Sequence, residues 1–97
     1  MVKHIVVFKL KGDAAVRLDY ARRFADALRA LPAQVPVLES IEVGINGNPA
    51  EDWDLVLTAV VPTMADVAVY AGHPAHVAAA SIIKDVKESR ACVDYVI

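Results

Sequence analysis

The chain predicts an α+β domain with one four-stranded antiparallel sheet and its helices on a single face. Three observations carry that expectation: hydrophobic periodicity changes in the order β-α-β-β-α-β, turn residues fall between those segments, and two of the strands are apolar on both sides. The 97 residues suit a single domain, residues 1–97, and show no linker, internal repeat or low-complexity stretch.

Lys3 to Leu10 is rich in β-branched residues and is followed by Lys11-Gly12-Asp13, the composition of a strand with a turn behind it. Val6 and Phe8 alternate with Ile5 and Val7, so both faces are apolar. Asp13 is placed to cap a helix running to about Leu31, in which Val16, Tyr20, Phe24, Ala27, Leu28 and Leu31 recur at helical spacing before Pro32 and Pro36 end it. Leu38 to Asn46 alternates, with Ile41, Val43 and Ile45 on one side and Glu42 and Gly44 on the other, as a half-buried edge strand does. The turn residues Asn46-Gly47-Asn48-Pro49 lead into a third strand, Asp54 to Val61, again apolar on both faces and stopped by Pro62. Thr63 with Asp66 forms a capping box for a short helix that Gly72 would end, and Pro74 restarts helix as far as about Ser89. Arg90 to Ile97 reads as the last strand, with Cys92, Asp94 and Val96 on one face and Ala91, Val93, Tyr95 and Ile97 on the other.

That order is the split βαβ pattern of the ferredoxin-like fold, whose helices leave one sheet face bare. A bare face should be polar, yet the first and third strands are apolar on both sides, and the chain is 57% hydrophobic against a usual level of about 45–50%. The surplus predicts a homodimer through the sheet face carrying Ile5 and Val7, with Tyr95 close to the interface. No run approaches the roughly 18 uninterrupted apolar residues of a membrane span. A net charge of −2, from ten basic and twelve acidic residues, gives no footprint for nucleic acid or an anionic membrane. The start Met1-Val2-Lys3-His4 lacks the pattern of a secretory signal, so a cytoplasmic location is expected.

The three histidines are the groups that titrate near neutrality without help. His73 precedes a proline, is therefore non-helical, and stands where its side chain can cap an orphan amide of the next helix, which competes with a role in ligand binding. His76 falls in the first turn of that helix, where the macrodipole and apolar neighbours favour a neutral ring able to accept a proton; a structural core histidine is the alternative. His4 shares a strand face with Val6 and Phe8, and Tyr70 combines a core ring with a donor hydroxyl. His73 and His76 lack a third ligand at any fixed spacing, and one cysteine builds no zinc site, so neither a metal nor another cofactor is expected. Ser40, Ser81 and Ser89 have no nucleophile-elbow setting, and Gly44 and Gly47 form no phosphate loop.

Taken in order, the opening Val2-Lys3-His4-Ile5-Val6-Val7-Phe8-Lys9, the helix end Leu28-Arg29-Ala30-Leu31-Pro32, the strand Ile41-Glu42-Val43-Gly44, Trp53-Asp54, Tyr70 with His73-Pro74-Ala75-His76-Val77, and the closing Val93-Asp94-Tyr95 resemble the stress-responsive dimeric α/β-barrel (Dabb) family over nearly the whole chain. The resemblance implies a ferredoxin-like protomer whose sheet packs on its twin to form a dimeric α/β barrel. In a plant polyketide cyclase of that family, which uses no metal or organic cofactor, a tyrosine and a histidine around the His-Pro motif do the acid/base work. By position these match Tyr70 and His76, and its first-strand cavity histidine matches His4. Two further pocket residues of that enzyme fall on Leu55 and near Asp26, so the scaffold carries over more fully than the reaction. The resemblance implies a cavity between sheet and helices lined by His4, Val6, Phe8, Phe24, Leu57, Tyr70, His76 and Ile82, binding a small hydrophobic or aromatic molecule. Cofactor-free cyclase, aldol or isomerase chemistry, with His76 as base and Tyr70 polarising a carbonyl, is one expectation; a non-catalytic stress or assembly protein whose dimer is the functional unit is the other.

Overall fold

The computed structural model describes residues 1–97 and holds the elements in the expected order: β1 (Val2–Leu10), α1 (Ala14–Arg29), β2 (Ser40–Ile45), β3 (Leu55–Val61), α2 (Met64–Gly72), α3 (Pro74–Ser81) and β4 (Lys87–Val96). A single 3-10 turn, Leu31–Ala33, follows α1. The strands form one antiparallel sheet in the order β2-β3-β1-β4, the ferredoxin-like arrangement. The two strands that are apolar on both faces are therefore the central pair, and the alternating β2 lies at an edge.

Alternation decides which face is covered. Val2, His4, Val6, Phe8 and Leu10 of β1 are buried under the helices with Leu55, Leu57, Ala59 and Val61 of β3, while the residues between them face the other way. Phe24 of α1 meets Phe8 edge-on, ring centres 5.1 Å apart, and Leu28, Tyr70, Ala79 and Ile83 complete the core. Opposite, Ile5 and Val7 are half-buried and Val56, Val93 and Tyr95 are exposed, which leaves an apolar sheet face uncovered within one chain.

Local chemistry explains the helix starts. The Asp13 carboxylate accepts from the Val16 amide at 2.9 Å, after a Gly12 whose φ of 109° few other residues adopt. Thr63 and Asp66 form the reciprocal capping box, with the Thr63 amide donating to Asp66 Oδ2 at 3.0 Å.

Three expectations need correction. The buried stripe of α1 runs through Ala21, Phe24, Ala25 and Leu28, and Val16 is exposed. That helix stops at Arg29 instead of Leu31, where Pro32 enters the 3-10 turn. Gly72 is the last residue of α2, as expected, and His73, extended at ψ 136° ahead of Pro74, makes the break without a left-handed turn at the glycine. The last helix ends at Ser81 rather than Ser89. Beyond Ser81 the amides of Ile82, Ile83 and Lys84 bond three residues back, tightening the chain, and Lys87 to Arg90 pair with β1. The outer edge of the nine-residue β1 offers backbone groups along its length, and pairing them outweighs the helical preference of Lys87-Glu88.

Candidate functional site

Between the helix-covered side of β1 and β3 and the helices lies a cavity of about 130 Å³. Of the residues the sequence nominates, His4, Val6, Phe8, Phe24, Leu57 and His76 line it. Tyr70, expected in the lining, is not part of it: it stands wholly buried behind the wall, its ring edge-on to His4 at 5.8 Å and to His76 at 4.6 Å between centres. The Tyr70 hydroxyl and His76 Nδ1 are both buried without a hydrogen-bond partner.

Two nominated residues lie elsewhere. His73 Nδ1 accepts from the Ala75 amide at 3.0 Å, so it caps α3 and does not reach the cavity. Ile82 lies in a second hollow with Ala27, Leu31 and Ala79, and Ile83 takes its place in the lining, because the tightened turn after Ser81 rotates the chain by about one position from a continued helix.

The environment sets the protonation of the central pair. Burial pushes the Tyr70 hydroxyl up to about 12, against a smaller opposing pull from Arg90, so it remains a donor at neutral pH. Burial also lowers the pKa of His76 from 6.5; a backbone contact to Ala71 works the other way, and the charges of His4 and Arg90 add to the depression. His76 is therefore a neutral ring with an unclaimed nitrogen, and Tyr70 a neutral hydroxyl with an unclaimed proton.

Six residues that sequence reasoning did not nominate join the site: Ala71, Ala80, Ile83, Lys87 and Arg90 in the lining and Asp94 bonded to His4. Asp94 pairs across the strands with His4, whose Nδ1–H donates to Asp94 Oδ1 at 2.5 Å. The place of Asp94 on the same strand face as Cys92 was visible in the alternation of β4, but its register against His4 was not. Burial and the neighbouring Asp94 carboxylate raise the pKa of the Cys92 thiol, which disfavours it as a nucleophile. No helix is long and apolar enough to cross a membrane.

Residues 2–97 match the family described as the stress responsive A/B barrel domain, Dabb. A comparison with curated proteins gives no significant match. Among solved structures, a dimeric protein of unknown function and ferredoxin-like fold from Bacteroides fragilis is 47% identical with a TM-score of 0.95, covering 99% of this chain and 95% of that one. A dimeric ferredoxin-like protein of unknown function from Thermobifida fusca is 28% identical, TM-score 0.81, over 99% and 90% of the two chains. A hydroxynitrile lyase from Passiflora edulis is 18% identical, TM-score 0.74, over 99% and 92%, a likeness of fold alone.

Proposed function

We propose, for a chain that belongs to the stress responsive A/B barrel (Dabb) family, that it works as a homodimer in which each protomer binds one small aromatic or apolar carbonyl compound in the cavity between sheet and helices. The observation that carries this reading is the pair of buried polar atoms without partners, Tyr70 Oη and His76 Nδ1, at a cavity walled mainly by apolar side chains with Lys87 and Arg90 among them. Leaving one such atom unpaired costs about 1–3 kcal/mol, a penalty that a ligand oxygen relieves. The size supports a ligand of about one ring, since an apolar cavity of roughly 150 Å³ takes up benzene.

The protonation states suit acid/base chemistry without a cofactor. Tyr70 donates its hydrogen bond to a carbonyl oxygen and stabilises the negative charge that develops there, and neutral His76 accepts the proton from the adjacent carbon. Return of that proton to a different carbon is an isomerisation, and attack of the enolate carbon on a second carbonyl is an aldol or cyclase step. His4, held by Asp94, fixes the third wall of the same group.

Dimerisation is supported by the apolar face of Ile5, Val7, Val56, Val93 and Tyr95 and by the dimeric assembly of the two bacterial relatives. The test is calorimetric binding of a panel of phenols, aromatic aldehydes and small ketones to wild type, Tyr70→Phe and His76→Ala, beside their melting temperatures. Wild type is expected to bind at least one compound, with both variants losing about fivefold or more in affinity at little change in stability, since each hydrogen bond lost is worth about 1 kcal/mol or more. Failure of every compound to bind wild type, with both variants destabilised by more than about 2 kcal/mol, assigns the histidine and tyrosine to the core and leaves the dimer alone as the functional unit.

A further inference from the structure

Cross-strand pairing sets His4 of β1 opposite Asp94 of β4, and Cys92 lies two residues away on the same face of β4. Their donor atoms converge. His4 Nδ1 is 2.5 Å from Asp94 Oδ1, and Cys92 Sγ is 3.4 Å from that nitrogen and 3.6 Å from that oxygen. We propose that His4, Cys92 and Asp94 form a binding site for a borderline-soft divalent cation of the zinc or cobalt(II) kind, held by one imidazole nitrogen, one thiolate and one carboxylate oxygen.

The distances carry this. A circle through three atoms separated by 2.5, 3.4 and 3.6 Å has a radius of about 1.9 Å, just inside zinc–ligand bond lengths of about 2.0–2.3 Å. An ion slightly out of their plane therefore reaches all three at bonding distance and keeps a fourth tetrahedral position open. The His4–Asp94 separation is short for two ligands of one ion, and rotation of the Asp94 carboxylate lengthens it. That carboxylate is the more exposed of the two, its side chain 29% exposed against 6% for His4, and it opens the site to solvent.

The donors also select the ion. Imidazole and thiolate suit zinc and cobalt, whereas magnesium and calcium prefer a shell of oxygens. Binding at Nδ1 requires the ring proton to sit on Nε2 instead, and it displaces the thiol proton to solvent, one proton released for each ion bound. The ligands lie 88 and 90 positions apart along the chain, beyond any sequence spacing rule. The site takes its imidazole from the cavity wall described above, but it uses neither Tyr70 nor His76, so a metal titration reads it separately from ligand binding.

Metal-free full-length protein titrated with cobalt(II) and zinc, followed by absorbance and calorimetry, tests it. One ion per chain is expected, and the cobalt form should show the strong near-ultraviolet band of a thiolate-to-cobalt transition. Cys92→Ser should abolish that band and weaken binding by about tenfold or more, Asp94→Asn should weaken it too, and His73→Ala should leave it unchanged. Absence of binding, a wild-type cobalt complex without the thiolate band, or binding that survives Cys92→Ser would each overturn the site. The band on wild type decides the matter even where a variant fails to fold.

Discussion

Val6 and Leu57, on the helix-covered face, are each 1% exposed; one step along the same strands Val56 is 36% exposed, and Val93 on neighbouring β4 is 62% exposed. Both faces are apolar, so hydrophobicity does not separate them. What separates them is the polarity each retains. The covered face encloses Tyr70, His76 and the His4–Asp94 pair beside a cavity, whereas the open face presents Ile5, Val7, Val56, Val93 and Tyr95 to whatever packs against it. A covered apolar face with unsatisfied polar atoms suits a small ligand, and an uncovered apolar face suits another protein surface.

The largest expected effect breaks the open face. Val7→Asp places a carboxylate at the centre of the uncovered strands, where burial against a twin would cost several kcal/mol, of order 4 or more. Light scattering should show monomer or unfolded chain; an unchanged dimer would place the interface elsewhere. On the covered face Leu57→Ala should lower stability by about 2–5 kcal/mol through lost burial and an enlarged cavity, while the dimer persists in the same scattering measurement. Loss of the dimer in step with stability would mean that the two faces do not act separately.

A smaller effect comes from His76, whose folded pKa lies below the unfolded value of 6.5. In the window between those values the unfolded chain binds more protons, so stability is complete above about pH 6.5 and declines as the pH falls through the folded pKa. Denaturant melts from pH 7 downward should show that decline reduced in His76→Gln, with His4 and Arg90 the charges nearest to modify it. Identical pH curves for the two proteins would remove His76 from the buried pair. Tyr70→Phe should not lower neutral-pH stability and should raise it by about 1 kcal/mol or more, because it deletes a buried hydroxyl that has no partner. Its signature lies at high pH: the Tyr70 pKa is raised from 10.0 to about 12, so the stability it contributes is present below pH 10 and lost between 10 and 12. Melts of Tyr70→Phe should lack that part of the alkaline decline.

Much of this was legible in the chain. Alternation in Ile5-Val6-Val7-Phe8 and in Leu55 to Val61 marked both faces of the two central strands, Asp13 and Thr63 with Asp66 marked helix starts, and the His-Pro dipeptide marked the break between α2 and α3. These are local properties, decided by the backbone and its nearest neighbours. The end of α3, the exchange of Ile82 for Ile83 in the cavity wall, and the meeting of His4 with Asp94 and Cys92 were not legible. Each depends on how β4 registers against β1, a pairing between opposite ends of the chain. Sequence patterns fix which way a side chain points from its own strand, with period two. Which residue it then meets across the sheet is decided by long-range backbone hydrogen bonding, including the register shift at Lys9 and Leu10, and that exists only once the chain has folded.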